Sequence, residues 1–193
     1  MRACVWMAVA VSLACAGPAS AGEYTISRAQ DAPFAFPSIF GGTFNNGSSL
    51  VRESIVLNDP DCPVQITKAS TAFELAKSNF ALVSATDFTL NAATVAISIR
   101  HAAFDVFGQH MENLVGTDVS DRRAGPHSRT TRWNALGDLI PEMLTTVTYV
   151  ARVRLSDGTQ WSYDEGKLQA ALARLKLEAR LGDSRVLEAG RPE

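Results

Sequence analysis

The chain has 193 residues, 46% of them hydrophobic and 20% charged, with a formal net charge of −2. A polypeptide of this length can bury a core without a disulfide scaffold, and one domain is the natural expectation. The near-neutral charge supplies no basic field of the kind that holds nucleic acid. No G-x-S-x-G, H-E-x-x-H, G-x-G-x-x-G, P-loop or paired C-x-x-C occurs, so the common catalytic and cofactor-binding frameworks are unsupported and no cofactor is expected.

Arg2 precedes an apolar run from Val5 to Ala14, and Ala19-Ser20-Ala21 has the small-x-small form of a cleavage site. This is the pattern of a secretory signal peptide over residues 1–21, cleaved after Ala21, and it predicts a periplasmic or secreted protein. A rival reading makes Cys15 the lipidated residue of a lipoprotein, but Ser12 stands where the lipobox carries leucine. No later apolar run reaches the roughly 18 residues of a spanning helix, so no transmembrane segment is expected after the signal. With Cys4 and Cys15 removed alongside the leader, Cys62 is alone. It reads as a buried or edge thiol opening a strand, against the rarer roles of nucleophile or intermolecular disulfide.

Residues 22–50 are loop-like in composition, with Pro33, Pro37, Gly41-Gly42 and Asn45-Asn46-Gly47. They read as an arm or linker, although Phe34, Phe36, Phe40 and Phe44 argue against full solvation and for docking, against the domain in preference to a partner. Short strands follow at Glu53–Leu57, Cys62–Thr67, Phe73–Ala76, Phe80–Ser84 and Asp87–Leu90, each bounded by Ser, Asn or Asp. Val95, Ile97 and Ile99 alternate with polar or small residues, then the apolar phase changes toward Phe104 and Val106, which predicts a bulge within Arg100–Ala103 and an end at Gly108. The polar, Arg-rich run Val115–Thr131 reads as a long exposed loop, and Trp133 as the start of a short strand ended by Gly137-Asp138.

From Thr145 the pattern is clearest. Val147, Tyr149, Ala151, Val153 and Leu155 alternate with polar neighbours, the period-two signature of a half-buried strand. A three-residue loop, Ser156-Asp157-Gly158 with Gly158 left-handed, pairs Leu155 with Thr159, Val153 with Trp161 and Ala151 with Tyr163. Trp161 is then expected as a major core residue. Asp164 is a helix N-cap with Glu165 in the first turn, and Leu168, Ala171, Leu172, Leu175 and Ala179 repeat at helical spacing toward a stop at Gly182. Residues 183–193 read as a frayed tail.

Many short strands followed by one amphipathic helix predict a mainly β domain over 51–182, an antiparallel β-sandwich with a C-terminal helix at 164–182. Asn58–Val64 (N-D-P-D-C-P-V), Phe104–Gly108 (F-D-V-F-G) and Val150–Trp161 (V-A-R-V-R-L-S-D-G-T-Q-W) resemble exported bacterial immunoglobulin-like domains of unknown function. The resemblance spans roughly Val51 to Tyr163. It implies an immunoglobulin-like sandwich and carries over no catalytic residue.

The densest positive stretch holds Arg122, Arg123, Arg129 and Arg132 with His127 among them, and Arg152 and Arg154 on the hairpin strand extend it. Guanidinium groups grip carboxylate or phosphate bidentately, so these residues are the candidate binding surface for a protein or anionic envelope partner. A solvated loop neutralised by Asp118 and Asp121 is the plainer alternative. His101 and Asp105 lie ~13 Å apart along an extended strand, too far for one ion. His110, Glu112 and His127 are a conceivable ligand set, but no metal site is assigned. A Cys62–His nucleophile pair needs only proximity in space, but Pro63 and the apolar strand after it turn the thiol inward, where its pKa rises and its reactivity falls. The expected function is an exported, non-enzymatic binding or interaction module of the cell envelope. The alternatives are a small extracytoplasmic enzyme, hydrolase-like and built around His101, Asp105, His110 or Cys62, and a structural envelope protein.

Overall fold

The computed structural model describes residues 22–30, 52–76, 79–134, 143–181 and 186–188. Residues 1–21, which the sequence pattern reads as a signal peptide with its cleavage site, the four arm phenylalanines, Gly137-Asp138 and Gly182 lie outside these. The described residues form a mainly β body. In chain order come β1 (Thr25–Gln30), β2 (Glu53–Asn58), β3 (Val64–Ala76), β4 (Asn79–Leu90), β5 (Thr94–Asp105) and β6 (His110–Arg122). Then follow β7 (Gly125–Asn134), β8 (Met143–Leu155), β9 (Gln160–Ser162), the helix α1 (Glu165–Arg174) and β10 (Val186–Glu188).

The larger sheet has the order β1-β2-β8-β5-β6-β10, with β9 pairing β8 beyond the stretch that β2 occupies. The smaller sheet is β3-β4-β7. Pairing is mixed rather than wholly antiparallel. β2 runs parallel to β8, with Glu53 opposite Thr145 and Leu57 opposite Tyr149, and β10 runs parallel to β6. A parallel pair needs a long crossover, and between β2 and β8 the chain passes repeatedly from one sheet to the other, at β2–β3, β4–β5, β6–β7 and β7–β8.

The larger sheet is packed on both faces, which is why β8 is buried from Thr145 to Ala151 without alternation. On one face Ile55, Leu57, Phe104, Val147 and Tyr149 meet Leu168, Ala171 and Leu172 of α1. On the other, Val56, Ile97, Ile99, Val150 and Val153 meet Val64, Ile66, Phe88 and Leu90 of the smaller sheet. Much of the remaining space between the sheets is polar: Ser54, Thr71, Ser84, Thr86, His101, Thr131, Thr146 and Thr148 are all buried there, with Leu82, Leu114 and Trp133 beside them. Their hydroxyls find one another, as in the Thr71–Thr146 pair at 3.5 Å and the Ser84–Thr86 pair at 3.4 Å, which offsets the cost of removing them from water.

The hairpin β8–β9 has the expected register. Val153 faces Trp161, the Leu155 amide donates to the Thr159 carbonyl at 2.8 Å, the Tyr163 amide donates to the Ala151 carbonyl at 3.1 Å, and Gly158 has φ +91°. The placement of the aromatics differs. A register shift in the β5–β8 pair, where Ile99 faces Val150 but Ser98 faces Arg152, turns the apolar phase over. Ala151 and Tyr163 therefore meet the helix, while Val153 and Trp161 join the opposite core. Trp161 is only half-buried; the fully buried indole is Trp133.

Other expectations are corrected. Cys62–Thr67 and Phe73–Ala76 belong to one continuous strand, β3, from Val64 onward, and Phe80–Ser84 and Asp87–Leu90 to another, β4. The supposed loop Val115–Thr131 is most of β6 and β7 joined by a tight corner. Shifts at Ser98/Ile99 and Ala103/Phe104 flank the window in which a bulge was expected. Within the arm and the tail, Thr25–Gln30 pairs with β2 and Val186–Glu188 with β6.

Helix α1 begins as expected, with the Asp164 carboxylate accepting from the Lys167 amide at 2.8 Å. It ends eight residues before Gly182, after Arg174. The Lys176 amide donates to the Ala173 carbonyl and the Leu177 amide to the Leu172 carbonyl, with Lys176 at φ +59°. This is a Schellman stop with lysine in the left-handed position that glycine usually fills. Beyond it Leu177, Ala179 and Leu181 are buried alternately with exposed Glu178 and Arg180, so Ala179 packs from an extended segment and not from the helix.

Candidate functional site

The structure distributes the seven candidate residues over three places. At the β6–β7 corner, Arg122 Nε donates to Asp118 Oδ2 at 3.1 Å, and His127 Nε2 lies 2.8 Å from the Arg123 carbonyl. Arg129 reaches from β7 across to the larger sheet and donates to the carbonyls of Gly116 at 3.1 Å and Thr117 at 3.2 Å. Desolvation pulls the Asp118 carboxyl upward, but hydrogen bonds from Arg122 and Ser120 outweigh it and hold the group below the usual carboxylate range. His127 stacks on Phe88 with ring centroids 5.8 Å apart. This cluster clamps the two sheets together. Its cations already have partners, and it offers little to a ligand.

Arg132 is exposed on β7 with parity opposite to Trp133 and Thr131, on the outer face of the smaller sheet, and Arg123 is exposed in the corner. Neither adjoins the third place, where Arg152 and Arg154 stand.

Those two project from β8 on the face opposite Val153. That face belongs to the same side of the sheet as α1, but to the half that α1 leaves bare. Register fixes their neighbours: Arg152 faces Ser98 on β5 and Ser162 on β9, and Arg154 faces Ala96 and Gln160. One strand further, Ser98 faces Thr117 and Ala96 faces Val119. All of these except Val119 line a groove of about 220 Å³. Ser98 is buried in its floor and receives a 3.4 Å hydrogen bond from the Thr117 hydroxyl. Val119 stands 79% exposed at the margin. Among the described residues the side chain of neither Arg152 nor Arg154 has a hydrogen bond or ion pair.

The side chains considered for chemistry are placed apart. His101 is fully buried between the sheets, hydrogen-bonded through Nδ1 to Thr148, with the ring of Trp133 edge-on at 5.2 Å. Asp105 accepts from the Phe107 and Gln109 amides and shapes the β5–β6 turn. His110 packs against Phe104, shares a 3.2 Å hydrogen bond with Asn113, and is pushed below its ordinary pKa by burial. The Cys62 sulfur accepts from the Val64 amide in the apolar core, where burial pushes the thiol up to about 12. Among the described residues no three His, Cys, Asp or Glu side chains gather in a form able to hold an ion.

Sequence reading found Arg152 and Arg154 by their outward parity but missed Ser98, Thr117, Gln160 and Ser162. Those become neighbours only once β6, β5, β8 and β9 lie side by side, and no local pattern announces that order. No protein-family model, curated protein or solved structure matches this chain.

Proposed function

We propose that the protein is an exported, non-enzymatic binding or interaction module of the cell envelope, periplasmic or secreted, with an immunoglobulin-like arrangement of its two sheets. The observation that carries this reading is the half of the larger sheet that α1 leaves bare, where Arg152 and Arg154 stand without acidic partners among the described residues, beside the hydroxyl groups of Ser98, Thr117 and Ser162. Guanidinium groups that no described residue engages, on a rigid sheet, are ready to meet an anionic partner at little entropic cost, because the strands already fix their bases. Support also comes from what is buried: Cys62 and His101 are walled into separate parts of the core, and His110 lies on the opposite side of the larger sheet from His101. The leader-like residues 1–21 support export.

The test is in-cell crosslinking of the wild type and of R152E/R154E, followed by identification of what is joined to each. The expected result is a discrete partner that the charge-reversed protein loses while its circular dichroism is unchanged. An identical set of crosslinked species from both proteins would overturn the proposal.

A further inference from the structure

We infer that the groove receives an extended acidic peptide segment carrying carboxylates at alternate positions; the inference rests on the interaction reading above. Arg152 and Arg154 are two residues apart on one strand, so their bases repeat at about 6.6 Å. Alternate side chains of an extended peptide repeat at the same interval. A segment laid along β8 thus brings each carboxylate to its own guanidinium, where a bidentate pair can form.

The surroundings suit such a guest. Ser98, Thr117 and Ser162 flank Arg152, and the Gln160 amide faces Arg154, so donors and acceptors are present for the guest's own polar groups. Among the described residues no acidic side chain lines the groove, and the carboxylate of Asp118 belongs to the opposite face, with Arg122. At about 220 Å³ the groove takes side chains and not a folded element. Exposed Val119 provides an apolar margin for an intervening residue.

Fluorescence anisotropy at low ionic strength tests this with three probes: a labelled peptide alternating Glu and Thr, a peptide of the same composition with its Glu residues in one block, and tripolyphosphate as competitor. The alternating peptide is expected to bind the wild type at least about tenfold more tightly than it binds R152A/R154A, equivalent to about 1.4 kcal/mol. It is also expected to bind about tenfold more tightly than the blocked peptide. Equal binding to the alanine variant, equal binding of the two peptides, or displacement by tripolyphosphate at lower concentration than by unlabelled peptide would each overturn the inference. If any of these occurs while R152E/R154E still loses its crosslinked partner, the peptide inference fails and the interaction reading stands. If the partner is also retained, both fail.

Discussion

Thr148 on β8 and His101 on β5 are direct cross-strand neighbours and share a hydrogen bond of 2.9 Å in the space between the sheets. Burial, and then the charge of Arg129, push the imidazole down to about 3, so it is neutral inside the fold. The unfolded chain binds that proton near 6.5, and the folded chain refuses it until about 3. Stability from this residue is therefore full above 6.5 and lost as pH falls through the window, at up to about 1.4 kcal/mol per pH unit. Urea unfolding at about pH 7 and about pH 4.5 should show a shallower loss for His101→Gln than for the wild type. Equal slopes would mean that the histidine is not neutral and enclosed.

Trp133 is 1% exposed, donates from Nε1 to the Val115 carbonyl at 3.2 Å, and sets its ring against His101. It joins the last strand of the smaller sheet to β6 of the larger one. Trp133→Ala should cost about 3–5 kcal/mol. Half-buried Trp161, which lies over the end of the second core, should cost roughly half as much. Denaturant midpoints of the two variants decide the order, and a larger loss at Trp161 would contradict this packing.

How much of this was legible depended on how local the physics was. The hairpin register came through because Asp157-Gly158 and the alternation around it act within a few residues. The strands β6 and β7 did not, because between Val115 and Thr131 their inward positions are Gly116, Asp118, His127, Arg129 and Thr131, which leave no apolar alternation to read. The same hydroxyl-rich interior, at Thr71, Ser84 and Thr86, made β3 and β4 look like pairs of short strands. The helix stop was hidden by a lysine doing what glycine usually does. The parallel partnership of β2 with β8 spans some ninety residues and has no local mark at all.

Gly158 tests the legible part. Its φ of +91° belongs to the left-handed region, yet a Cβ there would meet nothing within 4 Å. Gly158→Ala therefore isolates backbone strain without a clash, and should cost about 1–2 kcal/mol. A neutral or stabilising result would show that the turn does not need a left-handed residue at this position, and the three-residue loop would need reassignment.

Cys62 is 2% exposed, and burial holds its thiol far from the thiolate form at neutral pH. Alkylation by iodoacetamide should proceed only as fast as the fold opens, and should become rapid in denaturing urea. Fast, stoichiometric labelling of the native protein would place the sulfur outside the core and revive a nucleophilic role.

The arginines divide into two kinds, and stability measurements should separate them. Arg129 is half-buried, and its guanidinium serves carbonyls of a strand in the other sheet, so Arg129→Ala removes a charged clamp and leaves two acceptors short of a donor. Allowing for the solvent that still reaches it, the cost should be about 1–2 kcal/mol. Arg152 and Arg154 are exposed and serve no group among the described residues, so R152A/R154A should change stability by no more than about 0.5 kcal/mol. Thermal and urea unfolding of both variants checks the contrast. If the double variant is as damaged as Arg129→Ala, the two groove arginines are part of the scaffold and cannot be free to meet a partner. If it is unaffected, any binding defect it shows belongs to the groove itself.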